Sequence, residues 1–179
     1  WMPIKVFKNS GEKLEEITAD AGFNQTDGWW NTILAEDFDK DGDIDLVAGN
    51  LGRNSILKAS VDEPVELFLN DFNDDMTIDP IITHYNNGVR YPFATLDELK
   101  AQMESLDKKY STYAEFSDNR IEEIFSHDKL EGAVKKQVYT FESIFAENDG
   151  SGKFTIHTLP VEAQLSPIFV LLPGDFNND

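Results

Sequence analysis

The sequence predicts a mainly β chain carrying a small α-helical insertion, and three observations support this. Short β-branched runs flank a loop with five carboxylates in nine residues. A second loop of the same pattern begins 34 residues later. Between about Thr95 and Lys136 the apolar residues take on a helical period.

Residues 1–18 are expected to supply outer strands. The next strand is Trp30-Asn-Thr-Ile33-Leu34-Ala-Glu36, and Ile44-Asp-Leu46-Val47-Ala48-Gly49 follows the loop. Both are short apolar runs bounded by Asn or Gly, which favours strand over helix. Between them lies Asp37-Phe-Asp39-Lys-Asp41-Gly42-Asp43-Ile-Asp45. Crowding these charges into one turn costs about 1–4 kcal/mol per close pair, and a hard divalent cation removes that cost. Ca²⁺ accepts six to eight oxygens in general, and carboxylates at loop positions 1, 3 and 5, with a backbone carbonyl at 7, supply most of such a shell. Gly42 at position 6 permits the sharp turn. The loop is not an EF-hand: position 12 is Ala48 where a bidentate Glu is required, and the flanks read as strands. Asp45, at position 9, is then the remaining side-chain ligand.

The strand Val65–Asn70 leads into Asp71-Phe-Asn73-Asp-Asp75-Met76-Thr77-Ile-Asp79, which again places oxygen side chains at positions 1, 3, 5 and 9 and the Thr77 carbonyl at 7. Met76 replaces the glycine, so this loop is expected to be weaker or distorted. Helices are expected from Thr95, whose Thr95-x-x-Glu98 pattern is a capping box, from Asp118 and from Ser126. Strands resume at Val138–Phe145 and Lys153–His157, around a turn at Asn148–Gly152. Another strand is expected at Ile168–Asp175, with Asp175, Asn177 and Asp179 reading as positions 1, 3 and 5 of a third loop.

Several phrases together carry a family resemblance: Gly28-Trp29-Trp30-Asn31, the loop at Asp37, Gly49-Asn50-Leu51-Gly52 and Asn148-Asp-Gly-Ser-Gly-Lys-Phe154. The combination resembles the FG-GAP or VCBS repeats of integrin-like β-propellers. Arg90-Tyr-Pro-Phe-Ala-Thr95 and Leu159–Pro167 are similar to the bacterial branch associated with ASPIC/UnbV domains. The resemblance implies four-stranded antiparallel blades and calcium held by the side chains of Asp37, Asp39, Asp41 and Asp45 with the Asp43 carbonyl. It implies a second set at Asp71, Asn73, Asp75 and Asp79.

The chain is too short for a closed ring of blades, so a partial propeller is expected, with about two blades and flanking strands. Its partners would be the rest of a parent propeller or a second copy paired through open edge strands. Its function would be that of a calcium-stabilised binding or scaffold module for a protein or glycan. The alternatives are an adhesion surface in which the ion meets the ligand, or a non-catalytic part of a larger secreted enzyme.

Composition narrows the classes further. A net charge of −19 disfavours a nucleic-acid partner, and the three loops hold eleven of the 34 acids. Cysteine is absent, which excludes disulfides and thiolate chemistry. His84, His127 and His157 are scattered without a metal-binding spacing, and no Gly-x-Ser-x-Gly elbow occurs, so no enzyme is expected. Residues 1–179 contain no signal-peptide pattern and no run of eighteen apolar residues, and a chain starting mid-strand at Trp1-Met-Pro is expected to have lost any such segment with its parent's N-terminus. Calcium loops of moderate affinity work where free calcium is abundant, so an extracellular, cell-surface or periplasmic setting is expected. Trp29 and Trp30 should face opposite sides of a strand, and Tyr110, Tyr113 and Phe116 should dock the helices.

Overall fold

The structure is a computed structural model and describes residues 1–174. It divides into two compact units, one formed by Trp1–Ile56 with the chain from Val138 onward, the other by Leu57–Gln137.

In the first unit, β1 (Phe7–Asn9) and β2 (Leu14–Glu16) form a small antiparallel hairpin. A separate four-stranded antiparallel sheet contains β3 (Thr32–Glu36), β4 (Asp45–Gly49), β9 (Ile144–Asn148) and β10 (Phe154–Thr158), in the order β10-β9-β4-β3. Its central pairing joins Leu46 to Ala146 and Ala48 to Ile144. Ile4, Ala21, Phe23, Ala48, Ile144 and Ala146 make the core. Because β4 runs antiparallel to β9, the start of β4 and the end of β9 meet at one end of the sheet. That end carries both the β3–β4 loop and the β9–β10 turn.

In the second unit, β5 (Val65–Asn70), β6 (Asp79–Asn86) and β7 (Val89–Pro92) follow one another, and β8 (Val134–Val138) lies against β5. Asn87 and Gly88, with φ of 51° and 76°, close the tight β6–β7 hairpin. Between β7 and β8 come α1 (Leu96–Gln102), α2 (Ser105–Lys109), α3 (Tyr113–Phe116), α4 (Ile121–Ile124) and α5 (His127–Glu131). Thr95 and Glu98 make the expected capping box. Helices of four to seven residues do not sustain themselves in water. They are held by a shared core in which Leu96, Leu99, Met103 and Ile121 are nearly fully enclosed beside Phe68 and Ile81. Tyr110 and Phe116 join that core, whereas Tyr113 is 52% exposed. No helix among the described residues is long and apolar enough to cross a membrane.

The partial propeller is not what forms. The chain is a mixed α/β fold in which each four-stranded sheet is open, neither closed nor curled into a blade arrangement, and five helices replace the small insertion. A blade begun at Trp30 and running to about Ser60 would need further strands after β4, but residues 50–60 have none; the sheet is completed instead by β9 and β10, about a hundred residues further on. Residues 168–174 are not a strand, and the third loop at Asp175–Asp179 lies outside the described residues. With no propeller edge, the expected parent ring and the self-association through blade edges lose their basis.

Candidate metal centre

Loop 37–45 joins β3 to β4, and its backbone is organised by its own carboxylates. Gly42 N–H donates to Asp37 Oδ2 (3.1 Å), Asp41 N–H to Asp39 Oδ1 (3.1 Å) and Asp43 N–H to Asp41 Oδ1 (3.0 Å). Asp45 is fully buried and closes the loop, accepting from Phe38 N–H at Oδ2 (3.2 Å) and from Asn148 N–H at Oδ1 (2.8 Å). Lys40 and Gly42 take positive φ, 64° and 102°. These contacts aim the side chains inward: one oxygen each from Asp37, Asp39 and Asp45 lie within 4.8 Å of one another.

The electrostatics record the crowding. Asp43 is raised above the ordinary carboxylate value, first by desolvation and then by Asp41, Asp45, Asp39 and Asp37. Asp39 is raised by desolvation and by the charges of Asp41 and Asp45, against the lowering effect of its bond from Asp41 N–H. Asp37 Oδ1 and Asp43 Oδ1 are enclosed and have no hydrogen-bond partner. An enclosed carboxylate oxygen without a partner is costly, and a cation satisfies it. This all-oxygen donor set suits a hard ion such as Ca²⁺.

Loop 71–79 joins β5 to β6 along the same trace. Met76 N–H donates to Asp71 Oδ2 (2.9 Å), Asp75 N–H to Asn73 Oδ1 (3.2 Å), Thr77 N–H to Asp75 Oδ1 (2.8 Å) and Phe72 N–H to Asp79 Oδ2 (2.9 Å). Asp74 and Met76 repeat the positive φ at positions 4 and 6, 63° and 69°. The set of three acids found with clustered ligand atoms among the described residues is in loop 37–45; positions 1, 3 and 9 of loop 71–79 are Asp71, Asn73 and Asp79, so its matching set holds only two acids. Asp75 is lowered by hydrogen bonds from the Thr77 hydroxyl, Asn73 Nδ2 and Thr77 N–H. Lys129 donates to the Asp71 carbonyl (2.6 Å) and pairs with Asp74, which raises the Lys129 ammonium above its usual value.

Of the ten residues expected to hold metal, the structure thus gathers Asp37, Asp39 and Asp45, with Asp41 and Asp43 beside them in the loop. It leaves Asp71, Asn73, Asp75, Thr77 and Asp79 engaged with their own turn. Three contributors escaped the sequence reading. Asn148 supports Asp45 and donates its side-chain amide to Ile44 O (3.1 Å). Gly150 sits so close that a Cβ there would lie 3.0 Å from Asp43 Oδ2. Lys129 engages the second loop. The Asn148–Gly152 turn was visible in the sequence, but its approach to Asp43 depends on the β4–β9 pairing.

Among the other candidates, Trp29 packs edge-on against Trp1 and Phe141, with ring centroids 5.3 and 5.0 Å away. Trp30 Nε1 donates to Thr26 O (2.8 Å). His84, His127 and His157 lie on β6, α5 and β10 respectively.

No family model, curated protein or solved structure matches the chain. This, with the open sheets, overturns the resemblance to FG-GAP and VCBS propellers, and with it the propeller-borne scaffold and adhesion roles.

Proposed function

We propose that the chain is a cation-binding protein in which loop 37–45 chelates one hard divalent ion, and that the ion is Ca²⁺. The observation that carries this reading is the convergence of Asp37, Asp39 and Asp45 in a loop that also holds two enclosed carboxylate oxygens, on Asp37 and Asp43, without a hydrogen-bond partner. Oxygen donors alone, in a loop and without a histidine, favour Ca²⁺ over zinc; Mg²⁺ prefers to keep several waters. The ion's role is structural and not catalytic: it neutralises the turn between β3 and β4 and fixes that end of the sheet. Such loops are useful where calcium reaches millimolar levels, so this reading also favours an exported setting.

Calorimetric titration of the full chain with CaCl₂ tests the proposal. One ion should bind, and Asp37→Asn with Asp39→Asn should abolish the binding. The melting temperature should rise with calcium, as expected for a ligand that binds the folded state, and fall on addition of a chelator. Absence of both heat and thermal shift at millimolar calcium would refute it.

A further inference from the structure

The two loops share a backbone trace, but at 71–79 the chain brings a positive charge of its own. Lys129, on α5, reaches the turn with its ammonium bonded to the carbonyl of Asp71, the loop's first residue, and paired with the Asp74 carboxylate. Its backbone is tied to the same place, because Asn70 Nδ2 donates to Lys129 O (2.7 Å), and its side chain is 26% exposed.

The sequence difference fits this arrangement. Position 4 is Lys40 in one loop and Asp74 in the other, at almost equal φ, so the second loop gains the acid that Lys129 meets. Position 3 changes from Asp39 to Asn73, whose Nδ2 donates to Asp75 Oδ2 (2.8 Å). The carboxylates at positions 1, 5 and 9 are then fully engaged. Asp71 accepts from Asp75 N–H and Met76 N–H, Asp75 from Thr77 and Asn73, and Asp79 from Phe72 N–H and Gln102 Nε2. In loop 37–45, by contrast, Asp37 Oδ1 has no such donor.

We propose that Lys129 is the residue that confines cation binding to one of the two loops, its ammonium serving loop 71–79 as a built-in cation. A divalent ion approaching this turn meets a fixed positive charge hydrogen-bonded to the loop's first carbonyl and paired with its position-4 acid. The inference rests on the reading of 37–45 as the ion-binding loop, but its test separates the two.

Calcium stoichiometry is measured by calorimetry on the full chain, with circular dichroism confirming the fold. Wild type should bind one ion, and Lys129→Met or Lys129→Gln should bind two. Asp71→Asn with Asp75→Asn, in the presence of Lys129, should still bind one with unchanged affinity, and this arm decides the matter if the Lys129 variants fail to fold. Unchanged stoichiometry in folded Lys129 variants would overturn the inference, as would loss of an ion from the Asp71/Asp75 variant. Should wild type bind none, the reading of 37–45 fails, whereas a gain from none to one on Lys129→Met would still support the role of Lys129.

Discussion

Loops 37–45 and 71–79 have the same length, the same hydrogen-bonded trace and the same pair of positive-φ positions, yet their charges are balanced in opposite ways. In the first, desolvation and then like charges push Asp39 and Asp43 toward protonation, and two enclosed oxygens lack partners. In the second, Asn73, Thr77, Gln102 and Lys129 supply donors, and Asp75 is held below its ordinary value. One turn geometry thus holds both a loop with unpartnered carboxylate oxygens and one whose carboxylates are satisfied from within the chain. The backbone pattern sets where the oxygens point; neighbouring donors decide which of them are satisfied.

The sharpest way to break this contrast is at position 9. Asp45 and Asp79 are both buried and both accept the amide of position 2. Asp45→Ala leaves Phe38 and Asn148 amides without their acceptor, a loss of about 2–4 kcal/mol, and should also abolish calcium binding. Asp79→Ala should cost about 1–3 kcal/mol, since Gln102 can turn to water, and leave the ion count unchanged. Denaturant titration gives the stabilities and calorimetry the stoichiometry. Equal loss of calcium binding in both variants would erase the distinction between the loops.

Position 6 separates the loops by a smaller amount. Met76 sits at φ 69° and is 94% exposed, so it bears a torsional cost with little packing in return. Met76→Gly should stabilise the protein by about 0.5–1 kcal/mol, the relief being partly offset by glycine's greater entropy when unfolded. Gly42, at φ 102°, lies further from the left-handed well, and a Cβ there would meet nothing within 4 Å. Gly42→Ala should therefore destabilise by about 1–2 kcal/mol for torsional reasons alone. A stabilising Gly42→Ala would show that the turn is not as constrained as its trace implies.

What was legible in the sequence was mostly local. The span of Val65–Asn70, the Thr95–Glu98 cap, the Asn148–Gly152 turn and the oxygen spacing of both loops follow from turn and period rules acting within about ten residues. The architecture did not follow. The acidic turn is shaped by Asx-type bonds between neighbouring residues, so it can close a hairpin in sheets of any connectivity, and its recurrence carried no information about a ring. The pairing of β4 with β9 spans about a hundred residues, and Lys129 reaches Asp71 across 58. Contacts of that range leave no periodic trace. A fold resemblance built on short motifs therefore outran what the motifs physically determine.

The smallest effect is the pH dependence, and it has opposite signs in the two loops. Without calcium, the raised folded-state values of Asp39 and Asp43 mean that the folded chain binds protons more readily than the unfolded one. Their contribution is favourable below the ordinary carboxylate value and is lost as pH rises through the raised values. In chelator, Asp39→Asn with Asp43→Asn should thus be more stable than wild type at pH 7, by a margin that vanishes on acidification toward pH 4. Asp75, held low by Thr77 and Asn73, contributes stability above the ordinary value that is lost as pH falls through its lowered one. Asp75→Asn should therefore be the less stable protein at pH 7. Calcium should reverse the first result alone, because protons and the ion compete for the same oxygens in loop 37–45. Denaturant titrations at pH 4 and pH 7, with calcium and with chelator, measure all of these differences, and a calcium response in the Asp75 comparison would show that loop 71–79 binds the ion after all.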